Sequence, residues 1–328
     1  MIFWFWFGFV SFILSMLALD LGILNRKAHV IGSREALGWA SLWATVALAF
    51  SVFVYFSYEH HWLGIGLGSG EPLTGGHATL QYLTGWVIEY SLSLDNIFVI
   101  AVIFSYFGVG REHQHRVLFW GILGALILRG VMIAAGAALI HTFDWIVYVF
   151  GALLLFTAVR MWRVGEEEVE PERNPLVKLA RKLYPVTPYF EGERFFTRVG
   201  GKRAITPLFL VLLVVESTDV LFAVDSIPAI FAVTRDPFLV FTSNVFAILG
   251  LRSLYFALSG LMAQFRYLRF SLVFLLAFIG LKMILSHYYP IPTLVSLAII
   301  VGVLAVGVLA SIIGSRREAD AFEIDTGV

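Results

Sequence analysis

Apolar runs of about twenty residues, long enough to cross the hydrocarbon core of a bilayer as helices, follow one another along the chain with polar clusters between them. Nine can be counted, at roughly 2–22, 38–58, 80–107, 117–140, 145–162, 205–234, 238–262, 270–289 and 293–314. The pattern predicts an all-α polytopic membrane protein. Spans 1–5 fall within 1–162, a long polar connection occupies 163–204, spans 6–9 fall within 205–314, and 315–328 form a tail. The first run begins at residue 2 without a basic leader or a small-residue cleavage site, so it reads as a span and not as a removed signal.

The polar clusters orient this pattern. The 163–204 connection opens with the acidic run Glu166, Glu167, Glu168 and Glu170, read as a solvated segment or, alternatively, a sensor of cytoplasmic metal. PLVKLARKLYP follows, a basic amphipathic stretch predicted to lie at the interface, each base contributing about 1 kcal/mol against anionic lipid. In RFFTRVGGKRAIT, Gly200 and Gly201 predict a two-residue turn between short strands. Of the 23 lysines and arginines, 19 fall on one side of the nine spans, Arg235 falls alone on the other, and Arg129, Arg252 and Lys282 lie within spans. This asymmetry predicts an outside amino terminus, with the carboxy terminus and the long connection in the cytoplasm. A bacterial-type plasma membrane is the expected location.

The charges inside the spans reveal a repeat. SLDNIF places Asp95 in the third span and STDVLF places Asp219 in the sixth. Arg129 and Arg252 follow these acids at nearly equal distances, and Arg160 and Lys282 continue the register. Spans 3–5 and 6–8 therefore read as two copies of a three-helix unit, the second inverted, a plan that places transporter sites at the repeat interface. A rival local register aligns LDNI with VDSI, and so Asp95 with Asp225.

Five acids, Glu89, Asp95, Glu216, Asp219 and Asp225, sit at membrane depth with Asn96 and Asn244 nearby. Left ionised and unpaired they would cost on the order of 15 kcal/mol. Arg129, Arg252 and Lys282 can offset three, and a cation suits the rest. The spacing sets Glu216 and Asp219 on one helical face, and Glu89, Ser93 and Asn96 on one stripe. Breaks or kinks are expected in the long third and sixth spans, helped by Pro228. Lys282 is expected to pair with Asp225. With no cysteine in the chain, disulfides, thiolate ligands and thiol redox chemistry are excluded. The all-oxygen set favours a hard cation, Mn²⁺, Ca²⁺ or Mg²⁺. His60 and His61 are candidates for an outer vestibule and Asp20 for a gate, each set against a plain interfacial role. GIGLGSG at 64–70 has no following lysine or helix, so it is not read as a phosphate loop. No nucleic-acid partner and no prosthetic group are expected.

EYSLSLDNIFV, FDWIVYVFGALLLFTAVRMW, ESTDVLFAVDSIPAIFAVT and DPFLVFTSNVFAILGLRSLYF, in that order, resemble the TerC family of integral membrane proteins, in particular its Alx-type branch, from Asp20 to about residue 310. The family is associated with tellurite resistance, the alkaline-pH response and, in the Alx-type branch, export of Mn²⁺, and it is grouped with the LysE-type exporters. The resemblance implies that the motifs at Glu89–Asn96 and Glu216–Asp225 hold the transported metal.

Residues and resemblance together give the expectation of a non-enzymatic exporter of a divalent cation, Mn²⁺ first, coupled to proton entry. Asp95 and Asp219 would be central ligands; Glu89, Glu216, Asp225 and Asn96 would add ligands or carry protons. Arg129 and Arg252 would position the acids. The alternative is a membrane scaffold of a tellurite or metal stress-response complex, its buried ion pairs structural and soluble partners docking at 163–204. An intramembrane aspartyl hydrolase built on Asp95 and Asp219 is disfavoured, because arginine pairing would hold both acids ionised when a shared proton is needed.

Overall fold

A computed structural model describes residues 2–19, 32–67, 72–164, 171–258 and 268–326. Twelve elements follow in order: α1 (Ile2–Leu19), α2 (Ser33–Glu59), α3 (Gly75–Tyr106), α4 (Arg111–Thr142), α5 (Ile146–Val164), α6 (Pro175–Leu183), β1 (Phe196–Val199), β2 (Lys202–Ile205), α7 (Pro207–Phe231), α8 (Pro237–Leu258), α9 (Leu268–Leu285) and α10 (Thr293–Thr326). Eight of the helices are long and apolar enough to cross a membrane, and α1 is a further apolar helix, so the chain is an all-α polytopic membrane protein. Asp20 and the acidic run at 166–170 lie outside the described residues.

Caps at the polar junctions explain several helix starts. The Thr74 hydroxyl accepts from the His77 N–H at the head of α3, and Asn174 Oδ1 accepts from Leu176 and Val177 ahead of Pro175 in α6. Asp236 does the same for α8, accepting from Phe238 and Leu239. Gly200 and Gly201 both adopt positive φ, the two-residue turn that joins β1 to β2.

Helix α8 is the enclosed centre of the bundle, buried on nearly every side. Helices α1 and α2 dock on it through aromatic rings, with Phe5 edge-on to Phe238 and Phe50 tilted over Phe246. Helices α5 and α9 cross closely because Gly151 and Gly280 face each other's backbone; a Cβ on Gly280 would lie 2.9 Å from the Gly151 carbonyl oxygen. The packing has the symmetry of an inverted repeat. Helix α3 lies against α8 as α7 lies against α4, while α3–α7 and α5–α9 pair across the axis.

The expected breaks in the third and sixth spans do not occur. Helix α3 runs unbroken for 32 residues and α7 for 25. Their length is taken up otherwise: at 1.5 Å per residue α3 spans about 48 Å, well beyond the roughly 30 Å hydrocarbon core. Pro228 lies inside α7, three residues from its end; it withholds the donor for the Val224 carbonyl, but less than one turn follows it and the helix is not interrupted.

Candidate functional site

The site is organised by Arg129, a guanidinium on α4 that is 1% exposed. Its Nε and Nη2 donate to the two carboxylate oxygens of Asp219 on α7, at 3.1 and 2.8 Å, a bidentate fork. Its Nη1 donates to Glu89 on α3, fully buried, and lies 3.4 Å from Ser226 Oγ. One base of the first repeat thus holds an acid from each repeat. Arg129 with Glu89 and Asp219 carries a formal charge of −1 when both acids are ionised.

Several oxygen atoms around this triad are buried with no hydrogen-bond partner. Glu89 Oε2, Ser93 Oγ and Gln81 Oε1 lie along α3, and Glu216 Oε2 lies on α7. Gln81, Gly85, Glu89, Ser93 and Asn96 recur at three- and four-residue steps, so they form one stripe about 22 Å long. Buried oxygens without donors are costly, which makes this stripe an unusual investment unless a cation or proton visits it. A cavity of about 30 Å³, room for one or two waters, opens between α3, α4, α7 and α8, lined by Asn96, Gly121, Ala125, Asp219 and Leu251 among others.

Glu216 packs directly on Gly124 of α4, where a Cβ would collide with its carboxyl group. The glycine makes room for a carboxylate at a helix crossing. Asp225 points elsewhere: in the unbroken α7 it leaves the Asp219 face and accepts a 2.7 Å hydrogen bond from Thr157 on α5. The expected Lys282–Asp225 pair is not formed; Lys282 is buried on α9 and makes no ion pair among the described residues. Arg252 is buried on α8 and its Nη1 lies 3.4 Å from His115 Nε2 in the first turns of α4. Asn244 is buried with Nδ2 unpartnered. Asp95 is half-buried on α3. His60 and His61 lie at the far end of α2, near the Tyr58–Asp236 contact, away from the carboxylates.

The structure therefore brings together Glu89, Asp219 and Arg129, with Asn96 on the adjoining cavity, and leaves Asp225 and the histidines apart. Among the described residues no three His, Asp or Glu side chains converge closely enough to hold a metal ion. The Arg129 guanidinium stands between Glu89 and Asp219, where a cation shared by those carboxylates would sit. Thr157 and Gln81 were missed by sequence reasoning. Gln81 was recoverable, being two four-residue steps before Glu89.

Comparison with known proteins agrees with this architecture. The profile of the integral membrane protein TerC family matches residues 74–319. A membrane protein of Myxococcus xanthus, uncharacterized in activity, is 48% identical over 320 residues, covering 96% of this chain and 95% of its own. Proteins of Salmonella typhi and Escherichia coli K12, described as candidate membrane-bound redox modulators and called Alx, are each 45% identical, over 302 and 300 residues, covering 92% and 91% of this chain and 91% of their own. No solved structure matches. With the family profile spanning three quarters of the chain and relatives matched almost end to end, the chain belongs to the TerC family of integral membrane proteins.

Proposed function

We propose that the chain exports a hard divalent cation, Mn²⁺ in the first place, from the cytoplasm of a bacterial cell in exchange for protons. The observation that carries this reading is the buried Arg129 shared by acids of both repeats, beside oxygens that have no donor of their own. In this reading Arg129 is a resident counter-cation: the metal takes its place between Glu89 and Asp219, and the guanidinium swings aside. Asn96 and Ser226 supply neutral oxygens, and the stripe from Gln81 to Asn96 is the path along α3. Glu216, Asp95 and Asp225 accept the incoming protons. The distribution of basic residues supports an orientation with the carboxy terminus and the 171–205 segment in the cytoplasm.

Energetics favour coupling over passive flow. Moving two charges outward against 100 mV costs about 4.6 kcal/mol, and two protons entering per ion cancel that term. The chain has no cysteine, so thiol–disulfide exchange on its own side chains has no place in this reading.

The test is Mn²⁺-driven proton movement in sealed proteoliposomes. Native protein should show it, with Mg²⁺ and Ca²⁺ as competitors, and Asp219→Asn should not. Native-like flux in that variant overturns the assignment of Asp219. A second reading, a scaffold with structural ion pairs, is favoured by one observation: Arg129 is well satisfied and no three-acid cage exists among the described residues. Absence of both Mn²⁺ binding and proton movement in folded native protein would select it.

A further inference from the structure

We propose that Ile100, Leu118, Val215 and Leu251 form a dehydration gate that makes the site selective for divalent ions that shed water readily, admitting Mn²⁺ over Mg²⁺. The selectivity rests on the exporter reading; the gate itself is tested without any ion moving.

The gate follows from where the helices end. Gly121 of α4 packs on Val215 of α7 and Gly136 on Phe231, so these two helices run in one direction. Gly85 of α3 packs on Ser243 of α8 and Gly250 on Tyr90, so α3 and α8 run together as well. Only Phe107 to Gly110 separate the end of α3 from the start of α4. Helices α3 and α8 therefore finish, and α4 and α7 begin, at one end of the bundle, the end that bears residues 171–205.

The cavity beside Asp219 has two polar walls, Asn96 and Asp219, and is otherwise apolar. Each of four helices sets one aliphatic side chain between it and that end. Ile100 lies four residues beyond Asn96 on α3, Val215 four before Asp219 on α7, and Leu118 seven before Ala125 on α4, steps of about 6, 6 and 10 Å. Leu251 of α8 packs with them, and all four are only 3–7% exposed. A Cβ on Gly121 would lie 3.3 Å from Val215, so α4 and α7 approach closely here. Beyond the ring, Phe104, Leu208, Val211 and Leu254 continue the same apolar cluster. One turn past Leu118 and Leu251, the Tyr255 O–H donates to Gln114 Oε1 at 3.1 Å, a clasp of α8 to α4 across the closed end.

An ion arriving from this end meets four side chains with no lone pair to replace its water. It then enters a cavity of about 30 Å³, which holds one or two waters and not a hydration shell. Passage therefore strips most of the water before Asp219 and Asn96 can take its place. Mg²⁺ dehydrates reluctantly and keeps several waters when bound; Mn²⁺, larger at the same charge, releases water more easily. An apolar constriction thus discriminates by hydration where oxygen ligands, which suit both ions, do not.

The chain lacks cysteine, so Ala125→Cys places a single thiol on the cavity wall. A positively charged methanethiosulfonate is added to the purified full-length protein in detergent. Modification should be slow, and faster on the order of 50-fold when Leu118→Ala is added, about fourfold for each of the three carbons removed. Val215→Ala, a smaller change, should accelerate it less. Tyr255→Phe leaves the ring intact and should accelerate it about fivefold, the worth of one hydrogen bond. In sealed proteoliposomes, the ratio of Mg²⁺ to Mn²⁺ that halves Mn²⁺-driven proton movement should fall several-fold in Leu118→Ala and stay native in Leu118→Met. Rapid modification with the ring and clasp in place, or a rate unchanged by all three ring and clasp variants, overturns the gate. A faster thiol with an unchanged Mg²⁺ to Mn²⁺ ratio overturns the selectivity and leaves the exporter reading standing; native protein that moves no Mn²⁺ overturns both.

Discussion

Replacing Arg129 with Gln is the most direct perturbation of the interior, because it removes the base and leaves its two acids in place. Glu89 is 0% exposed and Asp219 13%, so neither can recover a full hydration shell. Removing one member of a buried, hydrogen-bonded ion group costs about 3–5 kcal/mol. Unfolding entropy of about 2.1 cal/mol/K per residue gives about 0.7 kcal/mol/K for 328 residues, so the loss corresponds to about 4–7 °C in Tm. Thermal unfolding of the purified protein in detergent reads this shift. Glu89→Gln added to Arg129→Gln should recover part of it, since one unpaired charge disappears and the double change is less damaging than the single one. Mn²⁺ at a hundredfold excess over its dissociation constant should stabilise Arg129→Gln by about 2.7 kcal/mol, or about 4 °C, and native protein by less, because in native protein the ion must first displace the guanidinium. A Tm within about 1 °C of native for the single variant, or no recovery in the double variant, would show that Arg129 does not hold these acids.

Gly124→Ala should drive Glu216 off α4 and destabilise the crossing by about 1–3 kcal/mol; Glu216→Ala in the same chain should restore the Tm, and failure to restore it would mean that the collision is not with Glu216. Asp236, between the spans at the opposite end, is held above its usual carboxylate value of 3.8, first by burial, against the lowering effect of the hydrogen bonds it accepts from the backbone N–H groups of Phe238 and Leu239 at the head of α8. The folded chain therefore keeps this proton where the unfolded chain has lost it, so stability falls as pH rises from 3.8 through the higher folded value and the loss is complete above it. Asp236→Asn keeps the cap on α8 and should flatten that slope in unfolding scans from acidic to neutral pH; an unchanged slope would assign it to another group.

Much of this architecture was legible in the chain because its signals are local. The spans follow from length and hydropathy, α6 from Asn174, Pro175 and the alternation of leucine with base, and the hairpin from two adjacent glycines. Glu89, Asp219 and Arg129 were legible as members of a buried set of five acids and three bases, because charge in a bilayer needs a partner and few partners exist; which of them pair was not, and Asp95 rather than Glu89 was read as central. What failed was long-range. That Asp225 meets Thr157 depends on α7 staying straight and on α5 lying along that face, and neither is encoded near Asp225. That Gly124 seats Glu216 depends on the register of two helices ninety-two residues apart in sequence. The length of α3 and α7 suggested breaks because a span was assumed to end at the bilayer surface. Here the apolar pattern continues into a layer closed by Val177, Phe195 and Ile205 of the intervening segment, which gives those turns a protein environment in place of lipid.

The charge balance of the interior makes one further demand. Glu89, Asp95, Glu216, Asp219 and Asp225 carry five negative charges when ionised, and Arg129, Arg252 and Lys282 carry three positive ones. Arg160, exposed on the last turns of α5, acts on Asp225 from the solvent side, so its charge is shared with water and counterions and offsets only part of one of the five. The deficit of two matches one divalent ion or two protons, and a low-dielectric interior cannot leave it unfilled cheaply. Metal occupancy and protonation should therefore exclude each other. If one Mn²⁺ displaces two protons, its affinity in the purified protein should rise with pH with a logarithmic slope approaching two in the range where both protons are held, and falling towards zero once they have left. Isothermal titration across acidic to alkaline pH, in two buffers of different ionisation enthalpy, measures the affinity and the proton release together. A slope near one would mean that a base, most directly Arg129, moves to compensate half the charge. Binding with no proton release at any pH would separate the metal from the carboxylates altogether, and the exchange of protons for metal would have no physical basis in this chain.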